Sequence, residues 1–328
     1  MKKIQLKKRR LQFLRLSSET IRGITYLKKK RKSFDFRYFS PPSHIKHIPK
    51  SFLEWFIGFS EGDGCFYIKK EKLVPFLHSG DVHTGRTKIK TRLIFEIGQK
   101  DPKILYTIKK TLGFGNVNSW KNKKDDIYWV YRVNSKENIK RLICLFDGNL
   151  ILIKRKKQFQ KWLKEARKLK CLPKNFQIKN LSTFVEISKE HAWLSGFIDA
   201  DGGFYANMTT ASVRSKVSKA LKQKFFITQK NEKRNLQLIL TLFESKSKIQ
   251  KFSVNKKTYF RIELSSLFSH ESIVNYLTEF PLKTLRRISF GRWKRLVYAR
   301  VNREHLCEQN ISKLEKLCKN LNNLKKFF

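Results

Sequence analysis

Two stretches of the chain set large apolar residues at helical spacing and then stop at an aspartate followed by glycine. The first runs from Phe52 to Glu61 and breaks at Asp63-Gly64, and the second runs from His191 to Asp199 and breaks at Asp201-Gly202-Gly203. Apolar side chains three and four residues apart share one helical face, so each stretch predicts a helix that the D-G step ends. Runs rich in aromatic and β-branched residues follow. CFYIKK, TRLIFEIGQ and IYWVYRV in the first half, and GFYANMTT, QKFFITQ and TYFRIEL in the second, predict strands. Helical stretches lie between them. In DPKILYTIKKTLG, Asp101 is the expected cap, Pro102 the first helical residue and Gly113 the stop. Each half therefore reads as helix, hairpin, helix, hairpin, helix.

The two halves repeat one another. Asp63 and Asp201 are 138 positions apart, Gln99 in FEIGQKD and Gln229 in FFITQKN are 130 apart, and Trp162 and Trp293 are 131 apart. The segment KLVPFLHSGDVHTGR lengthens the first hairpin and explains the larger first offset, since surface loops accept insertions at little cost. The pattern implies one domain duplicated and fused. The expected class is α+β, with two tandem, pseudo-symmetric α-β-β-α-β-β-α domains at 50–165 and 191–300. A basic extension (1–49), a linker (166–190) and a C-terminal helix (301–328) complete the division; Ile311, Leu314, Leu317, Leu321 and Leu324 give that helix an apolar face.

Helix geometry offers a reason for the repeat. Gly58 and Gly62, and likewise Gly196 and Ala200, are four residues apart, so each predicted helix carries a small-residue face. Packed along these faces, the two helices would bring Asp63 and Asp201 together at their ends. Paired carboxylates repel unless a cation lies between them, and oxygen ligands suit Mg²⁺, which activates water for phosphodiester hydrolysis.

Composition then selects the partner. The chain has 328 residues and a formal net charge of +47, a field that attracts polyanions. Its 27 Phe, 10 Tyr and 6 Trp imply packed cores rather than a solvated basic tail. The five cysteines form no C-x-x-C pair, so neither a zinc site nor a disulfide framework is indicated. No apolar run approaches the ~20 residues of a membrane span, and no secretory h-region follows the basic start, so a soluble, intracellular protein without a membrane partner is expected. On the strands, Lys88, Lys90 and Arg92 alternate with Ile89, Thr91 and Leu93, as a ribbon entering a major groove requires. Arg132, Lys222, Lys224 and Arg261 are the other candidate DNA contacts.

The stretches FIGFSEGDG (Phe56 to Gly64) and LSGFIDADG (Leu194 to Gly202) resemble the nine-residue motif that names the LAGLIDADG homing endonucleases, and the resemblance spans residues 50 to 300. It implies a monomer with pseudo-twofold symmetry, whose motif helices form the central interface and whose antiparallel sheets form a saddle over double-stranded DNA. Carried over by position, Asp63 and Asp201 are the metal ligands, joined by the carbonyls of Gly62 and Ala200, while Glu61 and Asp199 cap the turn. Gln99 and Gln229 resemble the polar residues that order water near the metals. A family lysine eight residues before the landmark tryptophan matches Lys154, but its counterpart in the second half is Leu285. Lys283 or Arg286 is the candidate substitute, or one half alone supplies the lysine and the two strands are cut at unequal rates.

The expected function is cleavage of both strands of a long DNA target with Mg²⁺, for which Mn²⁺ can substitute, in the service of intron or gene mobility. The alternatives are a group I intron maturase that binds intron RNA, and a non-catalytic DNA-binding derivative. Richness in Lys, Phe, Ile and Asn fits an A+T-rich coding genome, hence a chloroplast or mitochondrion, with the nucleus as the alternative.

Overall fold

The structure, a computed structural model, describes residues 33–73, 88–122, 125–172, 176–179, 185–210 and 219–323. Most of the basic extension, the hairpin insertion and Leu324 thus lie outside the described residues. The first half comprises α1 (Lys50–Asp63), β1 (Gly64–Leu73), β2 (Lys88–Gln99), α2 (Pro102–Leu112), β3 (Asn116–Lys121), β4 (Ile127–Val133), α3 (Lys136–Phe146) and α4 (Ile153–Lys168). The second repeats it with α5 (Trp193–Asp201), β5 (Gly202–Thr210), β6 (Lys219–Lys230), α6 (Lys233–Leu242), β7 (Gln250–Val254), β8 (Lys257–Leu264), α7 (Leu267–Glu279) and α8 (Arg286–Val301). A final helix, α9 (Glu308–Asn323), follows.

Each half therefore ends in two helices where the sequence pattern suggested one. The break falls where a short turn separates two amphipathic faces: Gly148 takes φ 77°, and Asp147 and Asn149 are buried beside it. The strand pattern named only one strand of each second hairpin, because β3 and β7 are mostly exposed and lack a buried face. Helix α2 does have the foreseen ends. The Asp101 side chain accepts from the Lys103 N–H at 3.1 Å, and Gly113 closes the helix at φ 77°, a left-handed conformation that suits glycine.

The strands form two four-stranded antiparallel sheets of identical topology, β1-β2-β4-β3 and β5-β6-β8-β7. Register places Phe66 opposite Phe95 in one and Phe204 opposite Phe225 in the other. These side chains point to the helical layer and seed two matching aromatic clusters, Phe66, Phe95, Phe146, Phe159 and Trp162 against Phe204, Phe225, Phe290 and Trp293. The other face of each sheet remains open to solvent.

Helices α1 and α5 run in parallel between the sheets. Every residue from Phe52 to Glu61 is buried, because one side of α1 meets α5 and another meets β1 and β2 of the first sheet. A methyl group added to Gly58 would lie 1.9 Å from the carbonyl oxygen of Trp193, and one added to Gly196 would lie 1.9 Å from that of Trp55. One turn on, a methyl at Gly62 would lie 2.2 Å from the Ala200 Cβ, so the pair accommodates one alanine but not two. The small-residue faces are where the two backbones touch.

Candidate active site at the ends of the paired helices

Because α1 and α5 end side by side, their last residues, Asp63 and Asp201, converge. The Asp201 Oδ2 lies 2.9 Å from the position a Cβ on Gly62 would occupy. Each carboxylate accepts one amide hydrogen bond from the end of the second strand in its own half: Gln99 Nε2 donates to Asp63 Oδ2 and Gln229 Nε2 to Asp201 Oδ2, both at 2.6 Å. Burial, and then the charge of Asp201, push the Asp63 carboxyl up to about 7; Asp201 is raised by burial. The pair is an electrostatically strained acidic centre.

Two arginines frame it. Arg155 in α4 donates from Nε to the Glu61 carbonyl oxygen at 2.7 Å and from Nη2 to that of Gly62 at 2.6 Å. Arg286, its counterpart in α8, donates from Nε to the Asp199 carbonyl at 2.7 Å, from Nη2 to that of Ala200 at 2.8 Å, and from Nη1 to Gly202. The last carbonyls of a helix lack intrahelical partners, and a guanidinium fork satisfies several at once. Arg286 was a candidate for the missing lysine, but its fork is committed to backbone. Arg155 was missed, since its contacts lie more than ninety positions away in sequence, although the offset of 131 that pairs Trp162 with Trp293 also pairs it with Arg286.

Glu61 and Asp199, expected to cap their own turns, instead take their donors from distant segments. Glu61 accepts from the Ile151 and Leu152 N–H groups at 2.8 and 2.6 Å, and from the Trp193 indole of the opposite helix at 2.6 Å. Asp199 accepts from Lys283 N at 2.6 Å, from Thr284 N at 3.2 Å, and from the Trp55 indole at 2.8 Å. The two indoles thus cross the interface in opposite senses. Burial pushes the Glu61 carboxyl up to about 7 and raises Asp199 as well, while these donors pull both down.

Lys154 belongs to the first repeat but faces the second. Its N–H donates to Glu232 Oε1 at 3.1 Å, and the charges around its ammonium group are Arg155, Lys230 and Asp201. Burial, aided by the two cations, lowers its pKa. Leu285 sits on the other side, in a cavity it shares with Asp63, Gln99 and Lys100. Lys283, the other candidate substitute, directs its ammonium group to the rings of Phe52 and Trp55, 5.9 and 5.7 Å away.

The solvent faces of the sheets carry the strand cations. Lys90 and Lys222 are exposed, and Lys88 opens β2. Arg92 lies 3.6 Å from Glu71, and Arg132 is paired with Glu96. Glu263 bridges Lys224 at 2.7 Å and Arg261 at 2.8 Å, and the Arg261 guanidinium stacks 4.1 Å from the Phe226 ring. Two cross-strand aromatic stacks at matching places, Trp120 on Tyr128 and Phe252 on Tyr259, were not singled out from sequence, although alternating aromatics were visible there.

A duplicated α+β unit, with acidic helix ends meeting between two open antiparallel sheets, defines a small structural class. The LAGLIDADG endonuclease family model matches residues 56–166 and 194–297, and the chain belongs to that family. It is 31% identical over 279 residues to the probable intron-encoded endonuclease 4 of Neurospora crassa, covering 83% of this chain and 44% of that protein, so it spans less than half of that relative's length. It is 30% identical over 151 residues to the intron-encoded RNA maturase bI4 of Saccharomyces cerevisiae, covering 46% of this chain and 19% of that protein. The I-LtrWI LAGLIDADG homing endonuclease bound to target DNA shares the fold, with a TM-score of 0.64 and 21% identity over 82% of this chain and 97% of that one.

Proposed function

We propose that the chain is a site-specific endonuclease that hydrolyses both strands of a long double-stranded DNA target and so promotes the mobility of an intron or gene. The observation that carries this reading is the meeting of Asp63 and Asp201, one from each repeat, between two sheets with cation-bearing open faces. One chain supplies both acids, which supports a monomer built of repeats at 50–165 and 191–300. The relatives named as intron-encoded, with a composition rich in Lys, Phe, Ile and Asn that fits an A+T-rich coding genome, support an organelle genome as the source.

A divalent cation fits the site. The two carboxylates at the helix ends are hard oxygen donors, which suit Mg²⁺ or Mn²⁺. Burial and mutual repulsion of the two aspartates favour such a charge between them. Asp63 and Asp201 would hold it; the carbonyls of Gly62 and Ala200, which already accept from Arg155 and Arg286, would each have one lone pair left to join them. When bound, the cation supplies Lewis acidity toward a phosphate oxygen and acidity to a bound water. Gln99 and Gln229 fix the carboxylates and face the water; Lys154 offsets charge developing on a phosphate near Asp201. Lys88, Lys90, Arg92, Arg132, Lys222, Lys224 and Arg261 contact DNA.

The decisive experiment uses a target selected from a randomised duplex library. Asp63→Asn and Asp201→Asn should each abolish double-strand cleavage in Mg²⁺ while DNA affinity stays level or rises, since a charge facing phosphate is lost. Cleavage at the wild-type rate in either variant would sink the assignment. The relationship to an RNA maturase supports a second reading, RNA binding that assists splicing, which a splicing assay with the same variants separates from cleavage.

A further inference from the structure

The paired helices place a similar set of groups on the two sides of the acidic centre, but the cations differ. On the Asp201 side Lys154, whose backbone N–H is held by Glu232 two residues past Lys230, lies within the fields of Lys230 and Asp201. On the Asp63 side the corresponding wall is Leu285. There the chain leaves a cavity of about 260 Å³, bounded by Asp63, Gln99, Lys100, Tyr128, Leu285 and Arg286. A lysine at 285 would stand at the edge of that space.

The cations within reach can be sorted by what they already do. The Arg286 fork holds the carbonyls of Asp199, Ala200 and Gly202. Lys283 is turned away, over the rings of Phe52 and Trp55. Lys100 remains. It follows Gln99 directly, at the end of β2, and is exposed at the cavity wall, and among the described residues no hydrogen bond or ion pair engages its side chain.

We propose that Lys100 is a catalytic residue for one strand, supplying on the Asp63 side the positive charge that Lys154 supplies on the Asp201 side. In hydrolysis a water oxygen bonds to phosphorus as the bond to the leaving sugar oxygen breaks; the water gives up a proton and the leaving oxygen gains one. Negative charge builds on the phosphoryl and leaving oxygens, and an ammonium group in a partly enclosed site stabilises it. Lys230 is the sequence counterpart of Lys100 but has Lys154 beside it, so the two are equivalent in position and unequal in importance. The inference rests on the endonuclease reading above.

The test follows each strand separately, with the two 5′ ends carrying different labels, under single-turnover conditions in Mg²⁺. Lys100→Met should slow one strand on the order of tenfold to a thousandfold, leave the other near the parental rate, and let nicked plasmid accumulate. Lys154→Met should slow the opposite strand, and Lys230→Met should cost less than Lys100→Met. Leu285→Lys added to Lys100→Met should recover much of the lost rate, a rescue that loss of a phosphate contact or of folding would not allow. Equal slowing of both strands by Lys100→Met, or no recovery with Leu285→Lys, overturns the inference. If the parent cuts and Asp63→Asn does not, such a result refutes Lys100 alone; if the parent cuts no duplex, the endonuclease reading falls and this inference with it.

Discussion

At the scale of single residues the site is held by charges that water does not reach. Glu61 and Asp199 are 2% and 3% exposed, and each is tolerable there because backbone N–H groups and an indole supply donors. A hydrogen bond to a charged group contributes ~1.5–3 kcal/mol, and a buried acceptor stripped of a donor costs a comparable amount. Trp55→Phe keeps the ring stacked on Phe59 but removes the donor to Asp199. It should therefore lower stability by about 1–3 kcal/mol, read as a fall in the denaturant midpoint at unchanged m-value; an unaltered midpoint would mean that the indole contact carries no weight. At this scale Asp63 and Asp201 were legible, because an aspartate that ends an apolar helix twice in one chain is a local signal. Arg155 and the direction in which Lys154 points were not, since both depend on which distant backbone passes beside them.

At the scale of elements the decisive contact is helix against helix. The spacing of Gly58, Gly62, Gly196 and Ala200 could be read from the sequence because helical periodicity is local; the 1.9 Å clearances show how completely the glycines are used. Gly58→Ala should force the backbones apart, an overpacking that typically costs about 1–3 kcal/mol. Gly291 is the matched control, for a Cβ there meets nothing within 4 Å and the residue lies inside α8. Gly291→Ala should raise stability by about 0.5–1 kcal/mol through helix propensity and a stiffer unfolded chain. Thermal melts of the two variants should move in opposite directions, and a Gly58→Ala variant that melts with the parent would rule out close packing along this face. The C-terminal helix shows the limit of pattern reading. Its apolar face was visible, and Leu314, Cys318 and Leu321 are buried. What it covers was not: Asn322 Nδ2 donates at 2.8 Å to the Ala206 carbonyl on β5, the edge strand of the second sheet, so α9 closes an edge that would otherwise be open to pairing.

At the scale of the whole molecule, charge and symmetry act together. A net charge of +47 brings any polyanion close, and the cations on the sheets divide by their tethers. Lys222 is exposed on an open face and has no ion pair among the described residues, whereas Arg132 and Arg261 are held by Glu96 and Glu263, and a side chain fixed in place can distinguish base edges. Lys222→Met should weaken binding to all duplexes alike and reduce the slope of log K against log salt by about 0.9, the share of one phosphate contact. Arg261→Met should instead change base preference within one half-site at nearly constant salt slope. Binding isotherms over a salt series, repeated with half-site variants of the target, test both; identical behaviour of the two variants would refute the division.

The sequence by itself determined that there are two copies of one unit, that each begins with a helix ending in an acidic turn, and that the chain carries a charge suited to a polyanion. These follow from periodicity, repetition and net charge, which need no knowledge of where distant segments lie. The tertiary structure decided what lies across each contact. The second closing helix of each repeat, the arginine forks on the helix ends, the crossed indoles and the exchange that sets Lys154 beside Asp201 all join residues from separate elements. Packing within each repeat places the forks, and the packing of α1 on α5 crosses the indoles, because proximity between distant segments is a property of the folded chain and leaves no period in the linear one.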